Sequence, residues 1–181
     1  MTDPIPLFSR LFYFVRHGES ELNARQLIAG SLDTELTELG RSQALKAADA
    51  LAKEPITAIY SSSMRRARDT AAPIAQRLKL PVTVIAELDE RNWGALEGKP
   101  RGARMPGVAP EGADAREDFV RRVLAGFARI DSAVPLIVGH SGVYRVLCRT
   151  LVLVETEGPV DNCQPLRIAP LPGGGWQIEQ P

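Results

Sequence analysis

The sequence predicts an α/β protein with three layers, α/β/α, in which helices cover both faces of a mostly parallel central sheet. Two observations lead to this class. Short apolar segments with a β-branched or aromatic bias recur along the chain, and stretches with apolar residues at helical spacing lie between them. Near-continuous apolar runs are typical of strands covered on both faces, and the alternation favours right-handed crossovers within one open sheet.

The predicted strands are residues 11–15, 56–60, 82–85, 134–138, 166–169 and 176–178. The first helix is expected to begin after Thr37, a plausible N-cap, and Pro55 prevents its continuation. Its apolar residues recur at helical spacing, at Ala44, Ala47, Ala48 and Leu51. The second helix should begin near Met64 and end before Pro81, with one apolar face formed by Ala67, Ala71, Ile74 and Leu78.

The third helix is predicted to begin at Asp114, where Asp114 and Glu117 have the spacing of a variant capping box. Its buried face should consist of Phe119, Val123, Phe127 and Ile130. A fourth helix should follow His140, with an apolar face formed by Val143, Val146, Leu147 and Leu151. Residues 98–113, rich in Gly, Pro and Ala, lack periodicity and form a loop longer than a simple connector, as loops that shape a site often do.

Length and composition fit one domain, residues 1–181, since the chain has 181 residues of which 44% are hydrophobic. The formal net charge is zero, so no nucleic-acid or anionic membrane partner is indicated. The apolar run at 11–15 is too short for a signal peptide or a membrane span, and we expect a cytoplasmic protein. Cys148 and Cys163 are far apart, which predicts buried, reduced thiols rather than a disulfide or zinc site.

The chain contains two histidines, and each directly follows a predicted buried strand. His17 lies in Arg16-His17-Gly18, and His140 lies in Gly139-His140-Ser141-Gly142. The carboxyl ends of strands form the ligand crevice of open α/β sheets. We therefore expect both imidazoles at one edge of the sheet, although a single histidine is more often a satisfied core or surface residue.

Two arginines, Arg65 and Arg66, lie in the first turn of the second predicted helix, where cations oppose the helix dipole. A bound anion would remove that conflict; Arg66 is the better candidate, and Arg65 is expected to be solvated. After the strand at 82–85, Glu87, Asp89 and Glu90 offer carboxylates for acid–base chemistry, and spacing alone does not choose among them. Imidazole nucleophiles and arginine donors together favour phosphoryl transfer.

Five ordered motifs then give a specific resemblance. They are RHGES at 16–20 with Asn23 after it, SSSMRRARDTA at 61–71, LDERNWGALEG at 88–98, VGHSGVYRVL at 138–147 and Asn162-Cys163 before the last strands. Together these motifs resemble the histidine phosphatase superfamily, the phosphoglycerate-mutase-like proteins. The resemblance extends over nearly the whole chain and implies a phosphoglycerate-mutase-like fold.

The resemblance also implies roles for individual residues. His17 would attack phosphorus and become phosphorylated, while Glu90 would protonate the leaving oxygen and then activate water. The phosphate oxygens would be held by Arg16, Asn23, Arg66, His140 and Ser141. No metal or cofactor is implied, because arginine and histidine supply the positive charge. A cationic surrounding should also keep His17 neutral by lowering its pKa.

Departures from the mutase branch favour hydrolysis of a small phosphorylated metabolite. Leu27 and Ala29 precede the substrate-side Gly30 where mutases have an arginine and a hydroxyl residue, and the covering loop is limited to residues 98–113. A more open site admits water to the phosphoenzyme. Mutase-type transfer and phosphohistidine-protein phosphatase activity are alternatives. Arg101 and Arg104 of the loop are hypothesised to contact an acidic substrate, or else are solvated.

Other functional classes fit less well. The GHSG segment resembles a serine-hydrolase nucleophile elbow, but Val143 replaces its second glycine and no histidine follows His140. The GALEGK segment at 94–99 has the wrong glycine spacing for a phosphate loop, and Pro100 occupies the Ser/Thr position. A degenerate, non-catalytic binding protein would be expected to lack one of the key residues, and all are present.

Overall fold

The structure, a computed structural model, describes residues 5–105, 107–153 and 160–181. The described strands form a sheet in the order β3-β2-β4-β1-β5-β6. Their bounds are β1 Phe12–Arg16, β2 Ala58–Ser61, β3 Val82–Val84, β4 Pro135–Gly139, β5 Pro165–Pro170 and β6 Trp176–Glu179. The first four strands in this order are mutually parallel, whereas β5 is antiparallel to β1 and β6 is antiparallel to β5. The predicted mostly parallel α/β sheet is confirmed.

The described helices are α1 Glu21–Ala24, α2 Glu38–Ala50, α3 Arg65–Leu78, α4 Arg116–Ala128 and α5 Ser141–Thr150. Alternate residues of β1 divide the core between two layers of helices. Phe12 and Phe14 pack in the cluster that contains the apolar faces of α4 and α5. Tyr13 and Val15 pack in the cluster that contains the alanine-rich faces of α2 and α3. This arrangement gives the three-layer order expected from the sequence.

The N-cap prediction for α2 is confirmed, because the Thr37 hydroxyl accepts a hydrogen bond from the Gly40 N–H at 3.0 Å. The capping box predicted for α4 is wrong. The N-cap there is Ala115, which has no side-chain capping bond. The Asp114 carboxylate instead accepts the Asn92 N–H at 3.0 Å and lies 3.6 Å from the Arg122 guanidinium.

The predicted coverage of both faces is correct for β1 and β4, whose residues are all buried. It is wrong for β3, where Thr83 and Val84 are exposed. The reason is position, since β3 lies at the edge of the sheet and pairs with β2 alone among the described strands. The predicted helix after His140 and the one near Met64 are both present, as α5 and α3.

The loop at 98–113 packs along residues 26–30. The Ile28 N–H donates to the Lys99 carbonyl at 2.9 Å, and the Arg101 N–H donates to the Gln26 carbonyl at 3.0 Å. Between these anchors and α4 the described part of the loop is largely exposed, with a short 3-10 turn at Arg101–Ala103. The loop thus lies beside the carboxyl ends of the central strands. Among the described residues, no helix is long and apolar enough to cross a membrane.

Candidate active site

Polar residues follow the ends of three adjacent strands and lie at one edge of the sheet. Ser62, His140 and His17 follow β2, β4 and β1, which are neighbours in the sheet order. The hydrogen bonds between the strands continue past the strand ends. The Ser62 N–H donates to the Val138 carbonyl, and the His17 N–H donates to the Gly139 carbonyl. The two imidazole centroids consequently lie 5.2 Å apart, as the sequence predicted for this edge.

The His17 ring is held in the form required of a nucleophile. Its Nδ1 lies 2.7 Å from the Gly18 carbonyl oxygen. Since a carbonyl can only accept, Nδ1 carries the hydrogen and Nε2 of the neutral ring keeps its lone pair. Burial holds the pKa of His17 well below its usual value, and the charges of Arg66 and Arg16 lower it further. His17 is therefore neutral at neutral pH.

Close packing against α2 fixes the loop that carries His17. A methyl group at Gly18 would lie 2.5 Å from the Gly40 carbonyl oxygen, and a methyl at Gly40 would overlap the Glu19 carbonyl oxygen. The Gly18 N–H donates to the Thr70 hydroxyl of α3 at 2.9 Å. Glycine at 18 and at 40 is thus required by close approach of backbone to backbone.

Two buried guanidinium groups flank the imidazoles. Arg66 is 1% exposed and donates from Nη1 to the Leu32 carbonyl and from Nη2 to the Gly30 carbonyl, each at 2.7 Å. Arg16 donates from Nη1 to the Val160 carbonyl at 2.8 Å. The Nε atoms of both arginines are buried without a hydrogen-bond partner among the described residues. Each side chain therefore retains donors for a ligand.

Burial lowers the pKa of Arg16 to about 10 and also lowers the pKa of Arg66. Both groups still carry a positive charge at neutral pH. The neighbouring Arg65 is exposed and forms an ion pair with Glu35 at 2.7 Å. The interpretation that separates Arg66, as the site residue, from a surface Arg65 agrees with these positions.

His140 is fully buried, and its Nε2 lies 2.7 Å from the Ser62 hydroxyl. Its Nδ1 is buried without a hydrogen-bond partner among the described residues. Burial, followed by the charges of Arg66 and His17, holds the pKa of His140 well below its usual value. The ring is thus neutral until an anion arrives, and it can donate one hydrogen bond to that anion.

The structure separates the three acidic candidates that the sequence left open. Glu87 pairs with Arg129 at 2.6 Å on the surface, and Asp89 accepts the Ser63 N–H at 2.7 Å. The Glu90 carboxylate alone of the three lines the cavity beside His17. It accepts the Gly142 N–H at 2.9 Å at the start of α5.

The remaining predicted residues lie around the same cavity. Asn23 is mostly buried, and its Oδ1 accepts from the Ser20 N–H at 3.3 Å and from Asn162 Nδ2 at 3.4 Å. Ser141 begins α5 with its hydroxyl 3.4 Å from Glu90. Gly30 has φ +54° and lines the cavity, where its carbonyl accepts from Arg66.

Two adjacent cavities lie at this edge. The inner one, about 270 Å³, is bounded by His17, Arg16, Arg66 and Glu90. The outer one, about 810 Å³, lies between the loop, α4 and α5. Six residues line both cavities: Glu90, Trp93, Arg101, Arg104, Ser141 and Arg145. Arg101 and Arg104 were expected on this side.

Sequence reasoning missed three residues here. Trp93 lies beneath the Arg104 guanidinium at 3.8 Å from the ring centroid. Arg145 lies one helical turn after Ser141, a spacing that was visible in the sequence. Glu97 accepts the Ser31 N–H at 2.6 Å and the Trp93 N–H at 2.9 Å, and it supports the turn at Gly30. The contact between Glu97 and Ser31 joins segments 66 residues apart, so no local pattern could reveal it.

The inner cavity combines a neutral imidazole with a free Nε2, two buried guanidinium groups and one carboxylate. The second imidazole, that of His140, lies 5.2 Å from the first. These groups define an enzyme of phosphoryl transfer on an α/β scaffold. Within the described ranges, no group of three or more His, Cys, Asp or Glu lies together in a way that could hold a metal ion. The arginines that line this cavity are Arg16, Arg66, Arg101, Arg104 and Arg145.

Comparison with known proteins gives the family. Residues 12–179 match the model of the histidine phosphatase superfamily (branch 1), and the chain belongs to that superfamily. A glucosyl-3-phosphoglycerate phosphatase from Mycolicibacterium vanbaalenii is 34% identical over 178 residues, with 84% of this chain and 77% of that protein covered. A probable phosphoglycerate mutase, GpmB, from Yersinia pestis is 30% identical, with 92% and 90% of the two chains covered.

A solved structure of a mycobacterial glucosyl-3-phosphoglycerate phosphatase in complex with VO3 has a TM-score of 0.79 and 28% sequence identity. The match covers 95% of this chain and 98% of that chain. The phosphatase class and the phosphoglycerate-mutase-like fold that the sequence predicted are confirmed.

Proposed function

We propose that the protein hydrolyses a small phosphomonoester through a phosphohistidine at His17, without a metal ion. The observation that carries the proposal is the hydrogen bond from His17 Nδ1 to the Gly18 carbonyl, beside two buried guanidinium groups. This bond directs the lone pair of Nε2 to the phosphorus of a bound ester. Arg16 and Arg66 hold the phosphate oxygens and neutralise the charge that repels the attacking nitrogen.

In the first step, Nε2 of His17 forms a bond to phosphorus as the bond between phosphorus and the alcohol oxygen breaks. The protonated carboxyl of Glu90 gives its proton to the departing oxygen. His140, Asn23 and Ser141 complete the phosphate contacts. Donation from His140 requires a hydrogen on Nδ1, the ring atom that has no partner among the described residues.

In the second step, the Glu90 carboxylate takes a proton from a water molecule whose oxygen attacks phosphorus. The bond between nitrogen and phosphorus breaks, and its electron pair returns to Nε2 of His17. The products are inorganic phosphate and the alcohol, and Glu90 is again protonated. The inner cavity shares six lining residues with the larger outer cavity, and we expect water to reach the phosphoenzyme from that side.

The substrate class follows from the named relatives and from the cavities. Relatives named as phosphatases act on glucosyl-3-phosphoglycerate, a phosphorylated small molecule. We propose a small phosphorylated metabolite here as well, such as a sugar phosphate, a phosphoglycerate or a nucleotide-related ester. A cytoplasmic location is part of the proposal, since the buried free thiol of Cys163 suits a reducing compartment.

The proposal is tested by phosphate release from p-nitrophenyl phosphate in excess EDTA, with neighbouring residues as matched controls. His17→Ala should abolish turnover, and Glu90→Gln should lower kcat about 10² to 10⁴-fold, as loss of a general acid does. Glu87→Gln and Arg65→Gln alter exposed ion pairs nearby and should leave kcat within about twofold of the wild type.

The intermediate is tested by rapid quenching with ³²P-labelled substrate. Glu90→Gln should retain label on the protein in an acid-labile form, and His17→Ala should retain none. Loss of turnover in EDTA would contradict the metal-independent mechanism. A wild type that transfers the label to an added sugar alcohol or glycerate, rather than to water, would replace hydrolysis with mutase-type transfer, and turnover of phosphohistidine peptides alone would identify a protein phosphatase.

A further inference from the structure

A short turn borders the inner cavity and contacts Arg66. In this turn, residues 29–32, the Leu32 N–H donates to the Ala29 carbonyl at 3.0 Å, and Gly30 has φ +54°. The Gly30 carbonyl accepts Arg66 Nη2, and the Leu32 carbonyl accepts Arg66 Nη1, each at 2.7 Å. Two bonds to one planar fork fix the plane of the guanidinium group. The position of the turn therefore sets the direction of the donors that Arg66 retains for a ligand.

The Glu97 carboxylate binds the middle of this turn. Its Oε1 accepts the Ser31 N–H at 2.6 Å, and the Ser31 hydroxyl lies 2.9 Å from each carboxylate oxygen. Oε1 also accepts the Trp93 N–H at 2.9 Å, which fixes the carboxylate relative to its own segment. A methyl group at Gly30 would lie 2.1 Å from Oε1. The carboxylate thus occupies the space that a side chain at Gly30 would need.

Other bonds hold the chain on both sides of the turn. Before it, the Ile28 N–H donates to the Lys99 carbonyl at 2.9 Å. After it, Asp33 Oδ1 accepts the Arg65 N–H at 2.8 Å at the start of α3. Loss of the Glu97 carboxylate should therefore shift the turn without unfolding the segment that contains it.

The charge of Glu97, taken alone, opposes phosphate binding. Burial lowers the pKa of Arg66, and the negative charge of Glu97 is among those that act in the other direction, so the two groups are close enough to interact. A carboxylate at that range repels a bound phosphate, and removal of its charge alone would tighten binding. Removal of its hydrogen bonds would instead release the turn and weaken binding. The sign of the effect therefore separates position from charge.

We propose that Glu97 is a positioning residue for phosphate binding, which acts on Arg66 through the turn at 29–32. The inference rests on the proposed function, since the ligand concerned is the phosphate group of the ester. Glu97 lines neither cavity, so it acts through the residues that it holds. Because it also accepts the Trp93 N–H, three residues after Glu90, it connects the segment of the proposed acid with the segment that orients the phosphate-binding arginine.

The first measurement is the inhibition constant of inorganic phosphate against p-nitrophenyl phosphate hydrolysis. Glu97→Ala should raise this constant about tenfold, as loss of charge-assisted hydrogen bonds allows. Glu97→Gln should stay within about threefold of the wild type, because the amide oxygen can accept both N–H groups and the amide nitrogen can donate to the Ser31 hydroxyl.

Two further variants separate position from stability. Glu54 accepts the Tyr13 hydroxyl and lines neither cavity. Glu54→Ala should therefore lower the temperature of unfolding and leave the phosphate inhibition constant unchanged. Ser31→Ala keeps the N–H and loses the hydroxyl, and it should raise the constant about twofold to threefold. This milder variant gives the decision if Glu97→Ala fails to fold, and an unchanged constant in it would then overturn the proposal.

Combination with the two arginines tests the route of the effect. In an Arg66→Lys background, Glu97→Ala should raise the constant by no more than about twofold, because lysine lacks the fork that reaches both carbonyls. In an Arg16→Lys background, the full effect of about tenfold should remain. An equal factor for Glu97→Ala in the wild type and in Arg66→Lys would overturn the proposal, and so would an unchanged or lower constant in Glu97→Ala. Both results leave the proposed function intact, whereas absence of hydrolysis by the wild type would count against the proposed function.

Discussion

Gly142 explains how one carboxylate is held against the start of α5. Its N–H donates to Glu90, and the absence of a side chain leaves room for the carboxylate. A methyl group at this position would overlap Glu90 Oε1. The Arg91 N–H donates to that same oxygen at 2.9 Å. The position of the proposed acid therefore depends on the absence of a side chain at Gly142.

Gly142→Ala should lower kcat about tenfold to 10²-fold, because small displacements of a catalytic group have effects of that order. Stability should not fall in proportion, since alanine favours a helix more than glycine does. Steady-state hydrolysis and thermal unfolding measure the two effects. Gly173→Ala, where a methyl group would meet no atom within 4 Å, is the control. An unchanged kcat in Gly142→Ala would show that the Glu90 carboxylate can act from another position.

Ser62 acts on the proposed phosphate contacts through His140. Its hydroxyl oxygen accepts the Met64 N–H at 3.4 Å, so the hydroxyl hydrogen is available to His140 Nε2 at 2.7 Å. That bond leaves the ring hydrogen on Nδ1, the atom without a partner among the described residues. Ser62 is thus a positioning residue that selects one tautomer.

Ser62→Ala should lower kcat/KM about tenfold, as loss of an orienting partner does at comparable sites, and Ser62→Thr should restore part of it. The ¹⁵N chemical shifts of the His140 ring report the tautomer directly. The wild type should show the hydrogen on Nδ1, and Ser62→Ala should show a mixture. The same single tautomer in both proteins would mean that Ser62 has a purely structural role.

At the scale of elements, α2 and the loop at 16–20 form one packed unit. Gly40 in the first turn of α2 contacts the Glu19 carbonyl, while the Gln43 side chain accepts the Glu19 N–H at 2.8 Å. The Thr37 N-cap adds a hydrogen bond to the Glu19 carboxylate at 2.8 Å. The helix therefore sets the position of the residues that immediately follow β1, including His17.

Gly40→Ala should destabilise the protein, although alanine is the better helix former. The gain in propensity is about 1 kcal/mol, whereas overlap with backbone that cannot rotate away costs about 1 to 3 kcal/mol. The displaced loop should also lower kcat. Gly126→Ala in α4 is the comparison, since its new methyl would meet side-chain atoms of Leu88 and Glu87 at 2.9 to 3.2 Å rather than backbone at 2.1 Å. Urea unfolding measures the stability of both variants, and steady-state hydrolysis measures their kcat. Equal kcat values in the two would contradict the coupling between α2 and the position of His17.

Much of this arrangement was predictable because it depends on local pattern. His17 and His140 follow strands whose apolar runs are unmistakable, and parallel strands bring their ends to one edge. Contacts between distant segments were not predictable. Asp114 has the spacing of a cap, yet its carboxylate binds the Asn92 N–H after a turn that no periodicity reveals. Glu90 could not be separated from Asp89 until the contact of Asp89 with Ser63 was visible.

At the scale of the molecule, a chain with no formal net charge concentrates arginine at one edge of its sheet. The buried part of that site also contains both histidines of the chain, at 4% and 0% exposure. Their neutrality therefore affects the stability of the fold as well as the chemistry. Burial and then the charge of Arg66 lower the pKa of each imidazole, so the site favours the uncharged rings.

The pH dependence of unfolding should show the lowered pKa values of these two imidazole rings. Each has a folded pKa well below the ordinary value of 6.5, so below that pH the unfolded chain binds protons that the native protein does not. Stability is then complete above pH 6.5 and decreases as the pH falls toward the folded pKa values. Between pH 6.5 and 5.5 the free energy of unfolding should fall by about 2 kcal/mol for two such groups. Urea titrations at several pH values measure this free energy of unfolding. His140→Asn should show about half the decrease. A constant wild-type stability over this interval would mean that the histidines titrate normally in the fold.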